Sequence, residues 1–205
     1  EYAVSLARAA RAAGRSLAVA SGSSRNAALA AIAEALVAQA ERISAENAKD
    51  VAAGREAGLS AAMIDRLTLT PAAVGKMAKA VTAIAAQPDP VGQTIEGWTR
   101  PNGLRIEKRR VPIGAVCIIY EARPNVTSDA AALCLKSGNA CILRGGKEAL
   151  HSNLAIGTVI AEALAATGLP AAAVQIVSTT DRAVVPALLK QDQDIDLVIP
   201  RGGES

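Results

Sequence analysis

Between Ile113 and Ile199 short apolar runs alternate with longer segments of helical pattern, and this alternation narrows the possible folds more than any other feature. Ile113 to Tyr120 is continuously apolar, as expected of a strand buried on both faces. A helix from about Val126 to Lys136 follows, closed by Gly138 as a C-terminal cap. Ala140 to Arg144 reads as a second strand, and Glu148 to Ala166 as a long helix ended by Gly168-Leu169-Pro170. Val174 to Val177 is a third strand, Arg182 to Gln191 a third helix and Ile195 to Ile199 a fourth strand. Four strands joined by three helical crossovers predict a parallel, right-handed α/β sheet.

Upstream, residues 1 to about 90 read as helices. In the second of these, Leu29, Ile32, Leu36, Val37, Ala40 and Ile43 recur at three- and four-residue steps and form one apolar stripe. Thr70-Pro71 is a start signal, a capping hydroxyl before a proline at the first helical position. Val74, Met77, Val81 and Ile84 then share a face until Pro88 and Pro90 stop the helix. Asn102-Gly103 suits a tight turn between Ile95 to Trp98 and Leu104 to Val111, hence a β-hairpin. Its second arm is too charged for a central strand, and reads as an edge or as an arm reaching a neighbouring subunit.

With 205 residues, no Phe, one Trp and two Tyr, the core must be packed almost wholly from Val, Ile, Leu and Ala. A net charge of +3 carries little information, and Arg105 to Arg110, the one tight basic run, holds no aromatic; nucleic acid is not an expected partner. A single His argues against a His-rich metal site, and no metal is expected. Cys117, Cys134 and Cys141 sit in apolar runs without C-x-x-C spacing and read as small buried hydrophobes in a reducing compartment. No apolar run approaches the roughly 20 residues needed to span a bilayer, and the first residues lack signal-peptide order. The expectation is a cytoplasmic protein that avoids membranes.

Ligands of such sheets bind beyond the carboxyl ends of the strands. Glu121 to Asn125, Gly145 to Glu148, Ser178 to Asp181 and Pro200 to Ser205 occupy those ends. Two of them carry Gly-Gly beside an arginine: Arg144-Gly145-Gly146 and Arg201-Gly202-Gly203. Such glycines make tight turns, or let backbone N–H groups approach an anion. Neither G-x-G-x-x-G nor the Walker phosphate loop is present. At the end of the second strand Arg144 and Lys147 stand where NAD-binding proteins place an acid, which suits the 2′-phosphate of NADP; solvated loop charge is the alternative. Asn125 can donate to an oxyanion or cap the helix from Val126 onward. Arg123 can hold an anionic substrate group, or pair with Glu121 or Asp129.

The run YEARPNVTSDAAALCLKSGNACILRGGKEALHSN, with IDLVIPRGGES at the end, resembles the gamma-glutamyl phosphate reductase family, within the aldehyde dehydrogenase superfamily. The fold this implies is α/β, a Rossmann-like parallel sheet of the aldehyde dehydrogenase type preceded by an N-terminal helical region and a β-hairpin. The expected division is a helical part of the coenzyme domain over 1–90, a hairpin and possible oligomerisation arm over 91–111, and an NADP-binding core over 112–205. The resemblance implies NADPH-dependent reduction of L-glutamyl 5-phosphate to L-glutamate 5-semialdehyde and phosphate in proline biosynthesis. It assigns Asn125 as oxyanion donor; Arg123 is a substrate candidate from its place at the strand end. The resemblance assigns Arg144 and Lys147 to the adenosine ribose of the coenzyme and Gly202 and Gly203 to its pyrophosphate, and the strand-end segments add Gly145, Gly146, Ser178, Thr179 and Arg201 as coenzyme candidates. The family's nucleophilic cysteine lies in a later segment, so the chain reads as a fragment without the catalytic domain. A homo-oligomer and contact with glutamate 5-kinase are also implied. The rival readings are another aldehyde dehydrogenase oxidising a free aldehyde, and a non-catalytic NADP-binding module.

Overall fold

The computed structural model of the chain describes residues 1–202. Five helices come first: α1 (Tyr2–Val19), α2 (Gly22–Ala38), α3 (Ala40–Glu56), α4 (Ala61–Leu67) and α5 (Pro71–Ala85). A hairpin follows, β1 (Thr94–Thr99) and β2 (Arg105–Arg109). The remainder alternates as expected: β3 (Ala115–Ile119), α6 (Asn125–Lys136), β4 (Ala140–Arg144), α7 (Leu150–Ala166), β5 (Val174–Ile176), α8 (Val184–Leu189) and β6 (Leu197–Pro200).

The four later strands form one parallel sheet in the order β5-β4-β3-β6, with Cys117 beside Ile142 on one flank and Val198 on the other. The chain therefore leaves β3 toward β4 and β5, then returns to the opposite side of β3. The order reverses between β3 and β6, which is where ligands bind in open sheets of this kind. Helices α1 and α8 pack together, with α1 laid on β3, β4 and β5; α6 and α7 are backed by α2, α3 and α5.

Alanine explains how a core almost without aromatics is filled. On α1 the buried positions Ala3, Ala7, Ala10, Ala13 and Leu17 recur at helical spacing, and their small side chains let the helix lie close on the sheet. The approach is close at Gly14, where a Cβ would stand 3.3 Å from the carbonyl carbon of Gly114.

Local signals behave as their chemistry predicts. Thr70 accepts a hydrogen bond from the Ala73 N–H at 3.2 Å with Pro71 in the first helical position, and Val74, Met77, Val81 and Ile84 are buried. Gly138 closes α6 with φ +76°, its N–H bonded to the Leu135 carbonyl and the Asn139 N–H to that of Cys134. Gly103 turns the hairpin with φ +85°.

Two readings need correction. The stripe from Leu29 to Ile43 spans two helices, because Gln39 leaves helical geometry (φ −106°, ψ 17°); Val37 is 59% exposed. Neither Gly nor Pro marks the break, so the periodicity runs through it unnoticed. One helical stretch does reach membrane-spanning length: Lys147–Ala166 is 20 residues long, and an 18-residue window within it has mean hydropathy 1.3. Over half of that window is buried, and it supplies Ile156, Val159, Ile160 and Leu164 to the core.

Candidate active site: a cationic cleft at the strand ends

The turn after β3 is held by a buried chain of hydrogen bonds. The Tyr120 hydroxyl lies 2.7 Å from Thr127 Oγ1, which donates to Asn153 Oδ1 at 2.7 Å, tying the strand end to α6 and α7. Burial pushes the Tyr120 hydroxyl pKa far up, so it serves as a neutral hydrogen-bonding group. Gly145, after β4, fits against this chain: a Cβ would press on the Asn153 amide and stand 3.1 Å from the Tyr120 ring. At Gly146 a Cβ would stand 2.7 Å from the Ala122 nitrogen. Both glycines are thus required by neighbouring protein, and Gly146 alone of the pair lines the cleft described below.

The turn after β4 is fixed from α3. The Asp50 carboxylate, 4% exposed, accepts from the His151 N–H (3.1 Å), the Ser152 N–H (2.8 Å) and the Ser152 hydroxyl (2.5 Å), capping α7 from outside its own segment. Asn47 extends the network, donating to Ser152 Oγ and the Leu67 carbonyl and accepting from the Leu69 N–H. A small apolar cluster of Val51, Leu67 and Ala149, with Ile64 and Ala122 against it, seats α4 on the turns that follow β3 and β4.

These supports frame a cleft of about 650 Å³ above the carboxyl ends of the strands. Its lining carries six cationic side chains, Arg66, Arg123, Arg144, Lys147, Arg182 and Arg201, against Glu121 and Glu148. A smaller recess of about 240 Å³ adjoins it at the β3–β6 reversal, between Tyr120, Glu121, Arg123, Val126, Arg201 and Gly202. Among the described residues none of the six cations makes an ion pair within 4 Å. Arg144 donates to the Gly145 carbonyl at 2.9 Å, while its buried Nε has no partner among the described residues. Such a cleft is suited to an anion of several charges.

The structure thus brings Arg123, Arg144, Gly146, Lys147, Arg201 and Gly202 together, as the strand-end argument anticipated. Ser178 and Thr179 are placed elsewhere. They line a separate cavity of about 470 Å³ beside the start of α1, where the Ser178 N–H donates to the Tyr2 hydroxyl at 2.9 Å. Their neighbours Thr180 and Arg182 reach the cleft instead. Gly203 lies outside the described residues. Leu59, Met63 and Arg66 also line the cleft, and no sequence spacing pointed to them, since α4 arrives there through tertiary packing.

Asn125 is the exposed first residue of α6 and caps nothing; Pro124 precedes the helix, and the Asn125 amide donates to Asp129 Oδ2 at 3.3 Å. Burial raises the Asp129 pKa, with the Asn125 hydrogen bond acting against it. No ion pair joins Arg123 to Asp129. All three cysteines are buried, as read. Desolvation pushes the Cys117 thiol up to about 11, and the Cys134 hydrogen bond together with burial raises that of Cys141.

The family model for aldehyde dehydrogenases matches residues 1–205. The chain belongs to the aldehyde dehydrogenase family. Within this family it is 57% identical to the gamma-glutamyl phosphate reductase of Rhodospirillum rubrum over 202 residues, 98% of this chain and 47% of that protein. It is 54% identical to that of Desulfatibacillum aliphaticivorans, over 100% of this chain and 49% of the relative. The crystal structure of the Thermotoga maritima gamma-glutamyl phosphate reductase superposes with a TM-score of 0.96 at 41% identity, covering 99% of this chain and 49% of that one. A Listeria monocytogenes aldehyde dehydrogenase at 18% identity and TM-score 0.74 shares the fold. The chain spans about half the length of the curated relatives it matches.

Proposed function

We propose that the chain provides the coenzyme-binding part of an NADPH-dependent reductase that converts L-glutamyl 5-phosphate to L-glutamate 5-semialdehyde and phosphate, a step of proline biosynthesis. The observation that carries this reading is the cation-rich cleft at the β3–β6 reversal, in a chain 57% identical to a gamma-glutamyl phosphate reductase.

The residues present fit NADPH. The cleft is large enough for a nucleotide, its lining is predominantly cationic, and the Arg144 Nε is buried without a partner among the described residues. Arg144 and Lys147, at the end of β4, would hold the ribose and its 2′-phosphate, and Arg201 with Gly202 and Gly203 the diphosphate. NADPH, when bound, supplies the hydride. Arg123, in the recess, orients an anionic group of the substrate. The Asn125 amide spends one hydrogen on Asp129 and keeps the second to donate to the carbonyl oxygen as negative charge develops there. None of the three cysteines suits nucleophilic attack, because each is buried and Cys117 titrates near 11.

The proposal includes a cytoplasmic location, exchange of the acyl phosphate with glutamate 5-kinase, and a homo-oligomer joined through the hairpin. Supporting the last, Ile95, Trp98 and Leu104 are about half exposed on a two-stranded ribbon, an element that is marginal alone in water. The test is NADPH oxidation by the full-length protein. Turnover with L-glutamyl 5-phosphate but not with simple aldehydes is expected; turnover of free aldehydes with NAD instead would replace this reading with its rival.

A further inference from the structure

We propose that α4 and the loop residue before it clamp the adenosine end of the coenzyme, with Arg66 as a ligand of the 2′-phosphate and Leu59 and Met63 as the surface against the base. The inference rests on the NADPH reading above and adds to it a chain segment far from the strand ends in sequence.

Three observations place α4 there. Its buried Leu67 and half-buried Ile64 pack with Val51, Ala149 and Ala122, so the helix is seated on the turn that bears Lys147 and on the turn after β3. From that seat Leu59, Met63 and Arg66 line the same cleft as Arg144, Gly146 and Lys147. Arg66 is exposed and makes no ion pair within 4 Å among the described residues, while Met63 is 44% exposed. A guanidinium without an ion pair, lining the same cleft as the cations at the end of β4, suits a dianionic phosphate, because guanidinium and phosphate can share two parallel hydrogen bonds. Met63, one helical turn before Arg66, and Leu59, just before the helix, give the wall an apolar face for a purine. Inorganic phosphate or a sugar phosphate would use the cation alone.

Packing fixes the backbone of this wall. Gly54 of α3 has no side chain, and a Cβ there would stand 3.0 Å from Leu59 and 3.2 Å from Ile64, so α3 and α4 are in close contact. Asn47 holds the Leu67 carbonyl and the Leu69 N–H, which fixes the exit of the helix. The position of Arg66 is set by buried contacts, although its head group is in solvent.

The experiment is a fluorescence titration of the full-length protein with NADPH and, separately, NADH, in wild type and Arg66→Gln. Wild type is expected to bind NADPH the more tightly. Arg66→Gln is expected to raise the NADPH Kd about tenfold, the scale of one charge-assisted phosphate contact, and to leave the NADH Kd within about twofold. Equal weakening of both coenzymes, or no change in either, would overturn the assignment of Arg66. Met63→Ser is expected to weaken both coenzymes together, and no effect there would remove the base from the proposal. A wild type that binds NADH as tightly as NADPH would refute the NADPH reading itself, an outcome distinct from a failure of Arg66 alone. Arg66 is exposed, so the substitution leaves the buried packing of α4 intact, and unchanged circular dichroism checks this.

Discussion

Asp50→Ala is the perturbation whose magnitude the structure defines best. The carboxylate is 4% exposed and accepts three hydrogen bonds, two of them from the N–H groups of His151 and Ser152 in the first turn of α7. Loss of a helix cap costs roughly 1–2 kcal/mol. The donors left in a dry pocket add roughly 1–3 kcal/mol. A loss of about 3 kcal/mol in urea unfolding is therefore expected, or about 6–12 °C in Tm for a chain of this size. Asp50→Asn keeps one carbonyl acceptor and should lose about half as much. Because the capped turn also carries Lys147, NADPH affinity should fall with stability. A change below about 0.5 kcal/mol for Asp50→Ala would refute the reasoning, since an exposed surface substitution does that much.

Further expectations concern single positions. Gly145→Ala should cost about 1–3 kcal/mol by pressing on Tyr120 and Asn153, read from thermal denaturation; a neutral outcome would mean that the Tyr120–Thr127–Asn153 chain yields easily. The Cys117 pKa is raised to about 11 by burial, so its neutral thiol contributes stability that is complete below pH 9 and is lost as pH rises toward 11. Urea midpoints should fall across that window, and Cys117→Ala should flatten the fall. Asn125→Ala in the full-length enzyme should lower kcat by roughly 10²–10³ if its amide meets the oxyanion; an unchanged kcat removes that role. Lys147→Glu should move the ratio of NADP to NAD usage toward NAD, and a constant ratio would count against the cation argument.

Much of the architecture was legible because it depends on local chemistry. Thr70-Pro71, Gly138 and Asn102-Gly103 announce their turns through hydrogen-bonding and backbone constraints that act within a few residues. The strands could be read from apolar runs, but not their order. The return of β6 to the far side of β3, which creates the recess, is a long-range choice that no periodicity encodes. The same limit hid Arg25–Asp89, an ion pair at 2.7 Å between a buried arginine and a partly exposed carboxylate 64 residues apart. It also hid Asp50, which caps a helix about a hundred residues downstream. Of the cleft lining, the residues next to strand ends are legible in the sequence and those brought by α4 and the loop before it are not. Ser178 and Thr179 were expected at the cleft because they follow β5 directly, yet the backbone turns them toward Tyr2 and presents Thr180 and Arg182.

The central claim is that the cleft above β3, β4 and β6 receives NADPH with its adenosine ribose at the end of β4. A crystal structure of the full-length protein with NADPH tests it most directly. The account predicts the 2′-phosphate within hydrogen-bond reach of Lys147 and the diphosphate beside Gly202. Coenzyme seated against Ser178 and Tyr2 instead, with the cationic cleft empty, would contradict it.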